Sequence, residues 1–333
     1  MNNGLFRKGF VLGIIFLFFG AGIIPSTGTM VEKTSSIVIG SPGYIQDLID
    51  DASDGDTIYI PSGIYYENIV INKSISLVGE DKNTTIIDGS YIGDVVNISA
   101  DWVNISGFTI QKSGDGLVDA GIDIRSNNNT IIGNIITLNN ENGIYLAYSD
   151  YNIIKDNTIT SNEDDGIDFD DSNYNIIEHN NIALNNDDGI YIEDSEFNTI
   201  KANNVISNNG DGIYFKQSKY NNISKNNISN NSIGIYLIGY VGLFHFKEIF
   251  LGGSNQNIII KNNLINNEQD AFFQNSRLNR WSKNYYNRPR ISPKLIFGEI
   301  YWFTFVFPLG IAHYNIPWIP KIDWHPALRP YDI

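Results

Sequence analysis

The sequence has no cysteine, and it has only two methionines, ten prolines and 18% charged residues over 333 positions. The absence of cysteine excludes disulfides, thiolate zinc sites, iron–sulfur centres and cysteine nucleophiles. Basic residues are also scarce, because 22 Lys and Arg stand against 37 Asp and Glu, for a formal net charge of -15. Nucleic acids and anionic membranes require a basic surface, so the sequence predicts no nucleic-acid partner.

The N-terminus carries an apolar run with the features of an export signal. Arg7 and Lys8 precede the run from Gly9 to Ile24, and Pro25 follows it. The run is shorter than a spanning helix requires, so residues 1–30 are predicted to be a signal peptide, with an uncleaved membrane anchor as the alternative. We therefore expect an exported protein, in an extracellular, cell-surface or periplasm-like space, that meets a membrane only through this segment.

The middle of the chain repeats every 22 or 23 residues. A Gly-Ile pair marks each unit, at Gly121, Gly143, Gly166, Gly189, Gly212 and Gly234. Each unit also contains three asparagines five residues apart, as in Asn152, Asn157 and Asn162. Such a fixed period is the signature of a stacked solenoid.

Isoleucines recur at matching positions of successive units, in columns such as Ile131, Ile154, Ile177 and Ile200. They alternate with polar residues, as half-buried strands do. Asparagine tolerates left-handed backbone angles, so the asparagines are predicted to lie at the bends, where their stacked amides bond to one another. The sequence thus predicts an all-β, right-handed parallel β-helix of about nine coils of 22–23 residues.

Both ends of this solenoid are predicted to be covered. Residues 44–53 have an amphipathic pattern that indicates a short capping helix. Residues 279–333 are rich in Trp and Pro and are interpreted as an irregular C-terminal cap, although residues 295–312 are apolar enough to suggest a spanning helix as the alternative. The predicted division is therefore 1–30, 31–278 for the β-helix, and 279–333.

The segment from IQDLIDDASDGDTIYIPSGIYYENIVINKSISLVGEDKNTTIIDG through the N-x-I-x-x-N-x-I coils resembles the NosD-like family of exported β-helix proteins, over about residues 40–290. The resemblance implies carbohydrate-binding or sugar-hydrolase-type repeats, or an accessory role in copper-centre assembly. Copper prefers thiolate, thioether and imidazole ligands. No two of His179, His245, His313 and His325 have ligand spacing, so the sequence argues against copper.

Acidic residues accumulate just before the repeated glycines. Asp165, Asp188 and Asp211 form one column, and Asp164 and Asp187 form the next. Like charges at one strand spacing repel each other, so a divalent cation, calcium above all, would explain the column. The alternative is that Asp-Gly merely supplies turn chemistry at each coil.

A second column alternates carboxylates and aromatic rings on the predicted outer side of the third strand. Its candidate ligand-binding residues are Tyr145, Asp168, Asp170, Tyr191, Glu193, Tyr214 and Tyr236. Aromatic rings beside hydrogen-bond acceptors suit a sugar chain, whereas paired strand residues would explain the same pattern without a ligand. A glycoside hydrolase or polysaccharide lyase would use Asp165, Asp168 and Asp170 as its catalytic carboxylates.

These features predict a non-catalytic, exported protein that binds polysaccharide, assisted by calcium. The alternatives are a polysaccharide lyase or glycoside hydrolase, a NosD-like accessory for copper-centre assembly, and a structural cell-surface spacer. The sequence indicates no particular protein partner.

Overall fold

The computed structural model describes residues 43–239, 253–276, 278–287, 293–307, 310–317, 321–323 and 325–333. The predicted signal or anchor at 1–30 and residues 240–252 of an insertion in the repeat lie outside the described residues. Ten coils of chain stack on one another, and each coil contributes one strand to each of three parallel sheets. The right-handed parallel β-helix predicted from the repeat is confirmed.

The first sheet has ten strands, and successive strands pair in parallel and in register. They are Thr57–Ile60, Ser76–Gly79, Asn104–Ser106, Thr130–Ile132, Ile153–Lys155, Ile176–Glu178, Thr199–Lys201, Asn222–Ser224, Ile258–Ile260 and Arg280–Ser282.

The second sheet also has ten strands and follows the first after a bend of two or more residues. They are Gly63–Tyr66, Thr85–Asp88, Thr109–Gln111, Ile135–Thr137, Thr158–Thr160, Asn181–Ala183, Asn204–Ile206, Asn227–Ser229, Asn263–Ile265 and Tyr285–Tyr286.

The third sheet has eleven strands and carries the candidate site. Nine are parallel coil strands: Ile69–Ile71, Val96–Ile98, Ala120–Ile124, Asn142–Ala147, Ile167–Asp170, Ile190–Glu193, Ile213–Lys216, Ile233–Ile238 and Gln269–Gln274. Strand Gly298–Phe307 continues the sheet and turns back as the antiparallel strand Gly310–Pro317.

The ends of the solenoid differ from its middle. Helix Tyr44–Asp51 covers the first coil with Ile45, Leu48 and Ile49 buried. At the other end, the short strands Lys294–Ile296 and Lys321–Asp323 pair in antiparallel fashion. No helix among the described residues is long and apolar enough to cross a membrane. The tenth coil, which uses Trp281 and Tyr286 as inward residues, lies beyond the region counted as repeat, and so the sequence predicted only about nine coils.

The isoleucine columns form one continuous core. Ile131, Ile154, Ile177 and Ile200 are all fully buried, and the column ends on Trp281 in the last coil. A strand of three or four residues cannot bury its inner face alone, whereas stacking covers each isoleucine with those of the coils above and below. The core predicted from the period is therefore confirmed.

Asparagine ladders run along the bends, where the side-chain amides bond both to one another and to the backbone. Asn157 Nδ2 donates to Asn180 Oδ1 at 3.1 Å, which confirms the amide-to-amide bonds. The backbone N–H of Asn157 donates to the same oxygen at 3.0 Å, and Nδ2 also donates to the Ile131 carbonyl at 2.8 Å. Each buried asparagine thus pairs backbone groups that the bend would leave without a partner.

The left-handed residues of the bends are not the asparagines of the ladders. The residue before each ladder asparagine has positive φ, as for Tyr151 at 61°, Asp156 at 54° and Ser161 at 59° in the fifth coil. The prediction of left-handed asparagines is therefore wrong. The preceding residue reverses the chain, and this leaves the asparagine side chain directed inward, where its amide is buried and hydrogen-bonded.

The repeated glycines lie where neighbouring coils approach each other closely. A Cβ placed on Gly166 would lie 2.6 Å from the Gly189 carbonyl oxygen and 2.6 Å from Ile182 Cγ2. None of these glycines has positive φ in the described coils. Glycine is therefore required here by contact between coils and not by turn geometry.

Candidate functional site

The outer side of the third sheet gathers the predicted sugar-binding residues into one strip, here called the Asp–Tyr face. Its members are the outward side chains of Asp123, Tyr145, Asp168, Asp170, Tyr191, Glu193, Tyr214 and Tyr236. Strand register places Asp168 directly between Tyr145 and Tyr191, and it pairs Asp170 with Glu193. The alternation of inward apolar and outward polar residues in each strand produces this strip.

The predicted metal column lies at the bend just before these strands and forms what we call the acid ladder, Asp165, Asp188 and Asp211. Asp165 Oδ1 accepts the backbone N–H of Asp188 at 2.7 Å, and Asp188 Oδ1 accepts that of Asp211 at 2.5 Å. The ladder begins at Asn142, whose Oδ1 accepts the Asp165 N–H at 3.1 Å. These carboxylates therefore bond from coil to coil and are more than turn residues.

Burial is costly for the acid ladder. Asp165 and Asp188 are only 7% and 8% exposed. Burial, followed by the neighbouring charges of Asp188 and Asp168, raises the pKa of Asp165 well above its usual range. Burial likewise raises the pKa of Asp188 to about 8 and that of Asp211 to about 6, against the backbone hydrogen bonds that they accept. A proton or a cation would relieve this repulsion.

Three carboxylates come close enough to share an ion. Carboxylate oxygens of Asp164, Asp165 and Asp187, here called the acid cluster, lie within 4.8 Å of one another. Asp165 is buried, whereas Asp187 is exposed. An all-oxygen donor set of this kind suits calcium, which accepts several oxygen ligands in loose geometry. The structure brings together three of the five predicted metal residues in this cluster.

Asp168 is the most unusual carboxylate of the Asp–Tyr face. Its Oδ2 accepts a long hydrogen bond of 3.4 Å from Asn142 Nδ2, and its Oδ1 is buried with no hydrogen-bond partner among the described residues. Burial, followed by the charges of Asp164 and Asp170, raises its pKa to about 7. A buried acceptor without a donor is costly, so Asp168 has a demand for a donor that the described chain does not meet.

Two cations flank Asp168 along the strip, each with a carboxylate of its own. Arg125 Nε donates to Asp123 Oδ2 at 2.8 Å. Lys216 Nζ lies 2.7 Å from Glu193 Oε1. Tyr191 is held in the same group, since its hydroxyl donates to Glu193 Oε2 at 2.8 Å and accepts from Lys216 at 3.1 Å. Lys216 and Glu193 are partners in the strand register, so neighbouring coils hold this ion pair in place.

The aromatic rings of the strip partly cover one another. Tyr191 and Tyr214 stack with centroids 5.2 Å apart, whereas Tyr236 is turned by 72° relative to Tyr214. Tyr145 is only 8% exposed. Tyr191 and Tyr214 each cover one face of the other ring, so the carboxylates and the ring edges are the groups that a ligand would contact here.

A second aromatic column was missed in the sequence analysis. Tyr151, Tyr174, Phe197 and Tyr220 stack at 5.0 Å spacing on the bend that follows the third sheet. They are about half exposed and have positive φ. Their regular step of 23 residues was a signal that could have found them. No carboxylate interleaves with these rings in the column, in contrast to the Asp–Tyr face.

Comparison with protein families gives one match. Residues 49–302 match a family described as "NosD: Periplasmic copper-binding protein (NosD)". This range begins in the last turn of the capping helix and extends into strand Gly298–Phe307 at the end of the solenoid. No curated protein matches the sequence.

Several solved structures share the fold. The complex of XylC with xylose has a TM-score of 0.56 at 11% identity, covering 78% of this chain and 68% of that one. Tailspike protein 2 from Escherichia coli O157:H7 bacteriophage CAB120 has a TM-score of 0.56 at 11% identity, covering 75% and 37%. DFA-IIIase from Arthrobacter chlorophenolicus A6 in complex with GF2 has a TM-score of 0.53 at 15% identity, covering 73% and 74%. At these identities the similarity shows the fold alone.

The described side chains do not fit the copper that the family description implies. The chain has no cysteine, and both methionines, Met1 and Met30, fall outside the described residues. Of the histidines, the side chains of His179 and His325 are described, and both are exposed and far apart in the sequence. The acid cluster offers only oxygen ligands, which suit calcium better than copper.

Proposed function

Since the chain belongs to the NosD family, we propose that it is an exported, non-catalytic protein that binds polysaccharide on its Asp–Tyr face. One observation carries this proposal: the Asp168 carboxylate, with a buried Oδ1 that has no donor among the described residues, lies between Tyr145 and Tyr191 in the strand register. Sugars supply hydroxyl donors for such an acceptor and apolar C–H groups for the neighbouring ring edges.

The shape of the strip supports a polymeric ligand over a small molecule. The face runs along the solenoid axis over six coils, and each coil advances about 4.8 Å. Each coil presents one outward residue of the column, so a chain laid along the axis meets a carboxylate or an aromatic ring at each step. A single sugar would use one or two of these positions only.

Export is part of the proposal. The predicted signal at residues 1–30 supports it, as does the description of the family as periplasmic. The low content of basic residues fits a protein that does not bind nucleic acid or an anionic membrane.

Calcium is proposed to assist at the acid cluster and not within the strip itself. Asp164, Asp165 and Asp187 lie one bend before the strands that carry Asp168 and Tyr191. A cation there would neutralise charge beside Asp168, whose pKa is raised in part by Asp164. Calcium would then favour the ionised form of Asp168, which accepts hydrogen bonds from a ligand.

Affinity electrophoresis tests the proposal. The protein is run through gels that contain xylan, starch, pectin, alginate or chitosan, with calcium or with EDTA. We expect at least one polysaccharide to retard the wild-type protein, and we expect Asp168→Asn and Tyr191→Ala to migrate as in an empty gel. Tyr174→Ala is the matched control, because it removes a stacked, half-exposed ring from the other aromatic column. Unretarded wild-type protein in every gel would contradict the proposal.

A further inference from the structure

Negative charge on the Asp–Tyr face exceeds the positive charge that balances it. Asp123 and Glu193 are paired with Arg125 and Lys216. Asp168 and Asp170 form no ion pair with a cation in the described part of the chain. The centre of the strip therefore holds two neighbouring carboxylates whose negative charge is not balanced by an ion pair among the described residues.

Two buried carboxylate oxygens of the strip also lack a hydrogen-bond donor among the described residues. Asp123 is 2% exposed, and its Oδ1 has no hydrogen-bond partner among the described residues, although its Oδ2 accepts from Arg125 and from Asn97. Asp168 Oδ1 is also buried without a hydrogen-bond partner in the part of the chain that the structure describes. A neutral hydroxyl would supply a hydrogen but no charge. An ammonium group would supply both, and hydrogen bonds between charged groups are about twice as strong as those between neutral ones.

The aromatic neighbours are already arranged to receive cations. Arg125 Cζ lies 5.7 Å from the Tyr145 ring centroid, and Lys216 Nζ lies 5.9 Å from that of Tyr191. These are the two rings that flank Asp168 in the register. Both rings already hold a cation of the chain itself, which shows that this strip accommodates positive charge beside aromatic rings.

Resting on the proposed function, we propose that the polysaccharide recognised by the Asp–Tyr face is one that carries free amino groups, and that its ammonium groups pair with Asp168 and Asp170. A polymer of uronic acids is disfavoured, because it would bring carboxylates to this strip in a protein of formal net charge -15. Binding exchanges a proton for an ammonium group at Asp168. Its pKa of about 7 in the free protein falls on binding, so a proton is released to solvent.

Calorimetric titration at about pH 6 with EDTA present tests this inference. The two probes are the glucosamine hexasaccharide and the N-acetylglucosamine hexasaccharide, which differ only in the charge of their nitrogen. We expect the amine form to bind at least about tenfold more tightly, with release of up to about one proton detected by repeating the titration in buffers of different ionisation enthalpy. Asp168→Asn should abolish both the preference and the proton release.

Two controls separate recognition from bulk attraction. Asp156→Asn removes the same charge from an exposed bend between the first and second sheets, and it should retain the preference. An oligolysine of six residues should bind more weakly than the glucosamine hexasaccharide, and Asp168→Asn should not change its affinity. Thermal unfolding and circular dichroism check that Asp168→Asn and a second variant, Asp170→Asn, are folded.

The outcomes distinguish the inference from the proposed function. Equal affinity for both sugars, or a preference that survives in Asp168→Asn, overturns the amino-sugar inference and leaves polysaccharide binding standing. Oligolysine that binds as tightly as the amino sugar also overturns the inference. Absence of binding by both hexasaccharides and by every polysaccharide in the gels overturns both.

Discussion

In the acid ladder, a carboxylate occupies a position that an asparagine fills one coil earlier. Asn142 Oδ1 accepts the N–H of Asp165, and Asp165 Oδ1 accepts the N–H of Asp188 in the same way. The amide therefore supplies the structural hydrogen bond without charge. Aspartate at 165 and 188 adds repulsion that the fold does not need, and this favours a role in binding a cation or a ligand.

The pH dependence of stability follows from the raised pKa values. An unfolded aspartate has a pKa of about 3.9, whereas the pKa of Asp188 in the fold is about 8 and that of Asp168 is about 7. The folded state thus binds protons more readily than the unfolded chain does. The contribution of these two carboxylates to stability should be most favourable below about pH 4 and should fall as the pH rises towards 8. Asp88 and Glu178, whose pKa values are lowered, against the effect of burial, by their partners, act in the opposite direction.

Asp188→Asn should remove part of the loss of stability that occurs as the pH rises from 4 to 8. The amide keeps an acceptor for the Asp211 N–H and has no charge. The free energy of unfolding of the variant should therefore exceed that of wild type by at least about 1 kcal/mol at pH 8 and should equal it near pH 4. Denaturant unfolding at both pH values measures this difference. Asp156→Asn should stay within about 0.5 kcal/mol of wild type at both. An Asp188→Asn variant that gains no stability relative to wild type between pH 4 and pH 8 would contradict the account.

The effect of calcium on the melting temperature tests whether the acid cluster binds a cation. If it occupies the acid cluster, calcium should raise the melting temperature of wild type near pH 8, and EDTA should reverse the effect. The double variant Asp165→Asn/Asp187→Asn, which removes two of the three carboxylates of the cluster, should not respond. A wild-type melting temperature that stays constant across the calcium titration would remove calcium from the proposal.

At the scale of the strand and its bends, the repeated glycine is where coils approach most closely. The Gly166 position leaves no room for a Cβ, whereas Gly133 has φ of 69° and open space around it. In later coils the position of Gly133 is taken by Asp156, His179 and Ala202, all with positive φ. The two glycines thus have different reasons to be glycine.

Gly166→Ala should therefore destabilise the protein, because the added methyl group meets backbone of the next coil, which cannot move alone. We expect a loss of about 2 to 4 kcal/mol in the free energy of unfolding. Gly133→Asn is the matched control and should change it by less than about 1 kcal/mol, since asparagine tolerates left-handed angles. Denaturant unfolding compares the two. A Gly166→Ala variant as stable as wild type would show that the coils are less tightly spaced.

The elements themselves were largely predictable, because each leaves a periodic signal. Isoleucine columns such as Ile154 and Ile177 fix the inward positions, and the asparagines fix the bends. The backbone angles at the bends were not predictable, since the left-handed residue can be Tyr151, Asp156 or Ser161 and so has no common chemistry. Its conformation is set by the hydrogen bonds of the asparagine that follows it.

At the scale of the whole molecule, the solenoid turns local repeats into continuous surfaces. Each coil contacts its neighbours only, so one side-chain position becomes a strip along the axis. The composition of the strip was therefore predictable from the spacing of Tyr145, Asp168 and Tyr191. Its unmet demand for a donor was not, because the isolation of Asp168 Oδ1 depends on how Asn142 and the neighbouring rings pack around it.

The central claim is that the Asp–Tyr face, and not another surface of the solenoid, binds the polysaccharide. Hydroxyl-radical footprinting with mass spectrometry tests it within one molecule, using the polysaccharide that retards the protein most. The account predicts that the ligand protects Tyr191 and Tyr214 from oxidation while Tyr174, on the other aromatic column, reacts as in the free protein. Protection of Tyr174 with unchanged reactivity at Tyr191 and Tyr214 would contradict it.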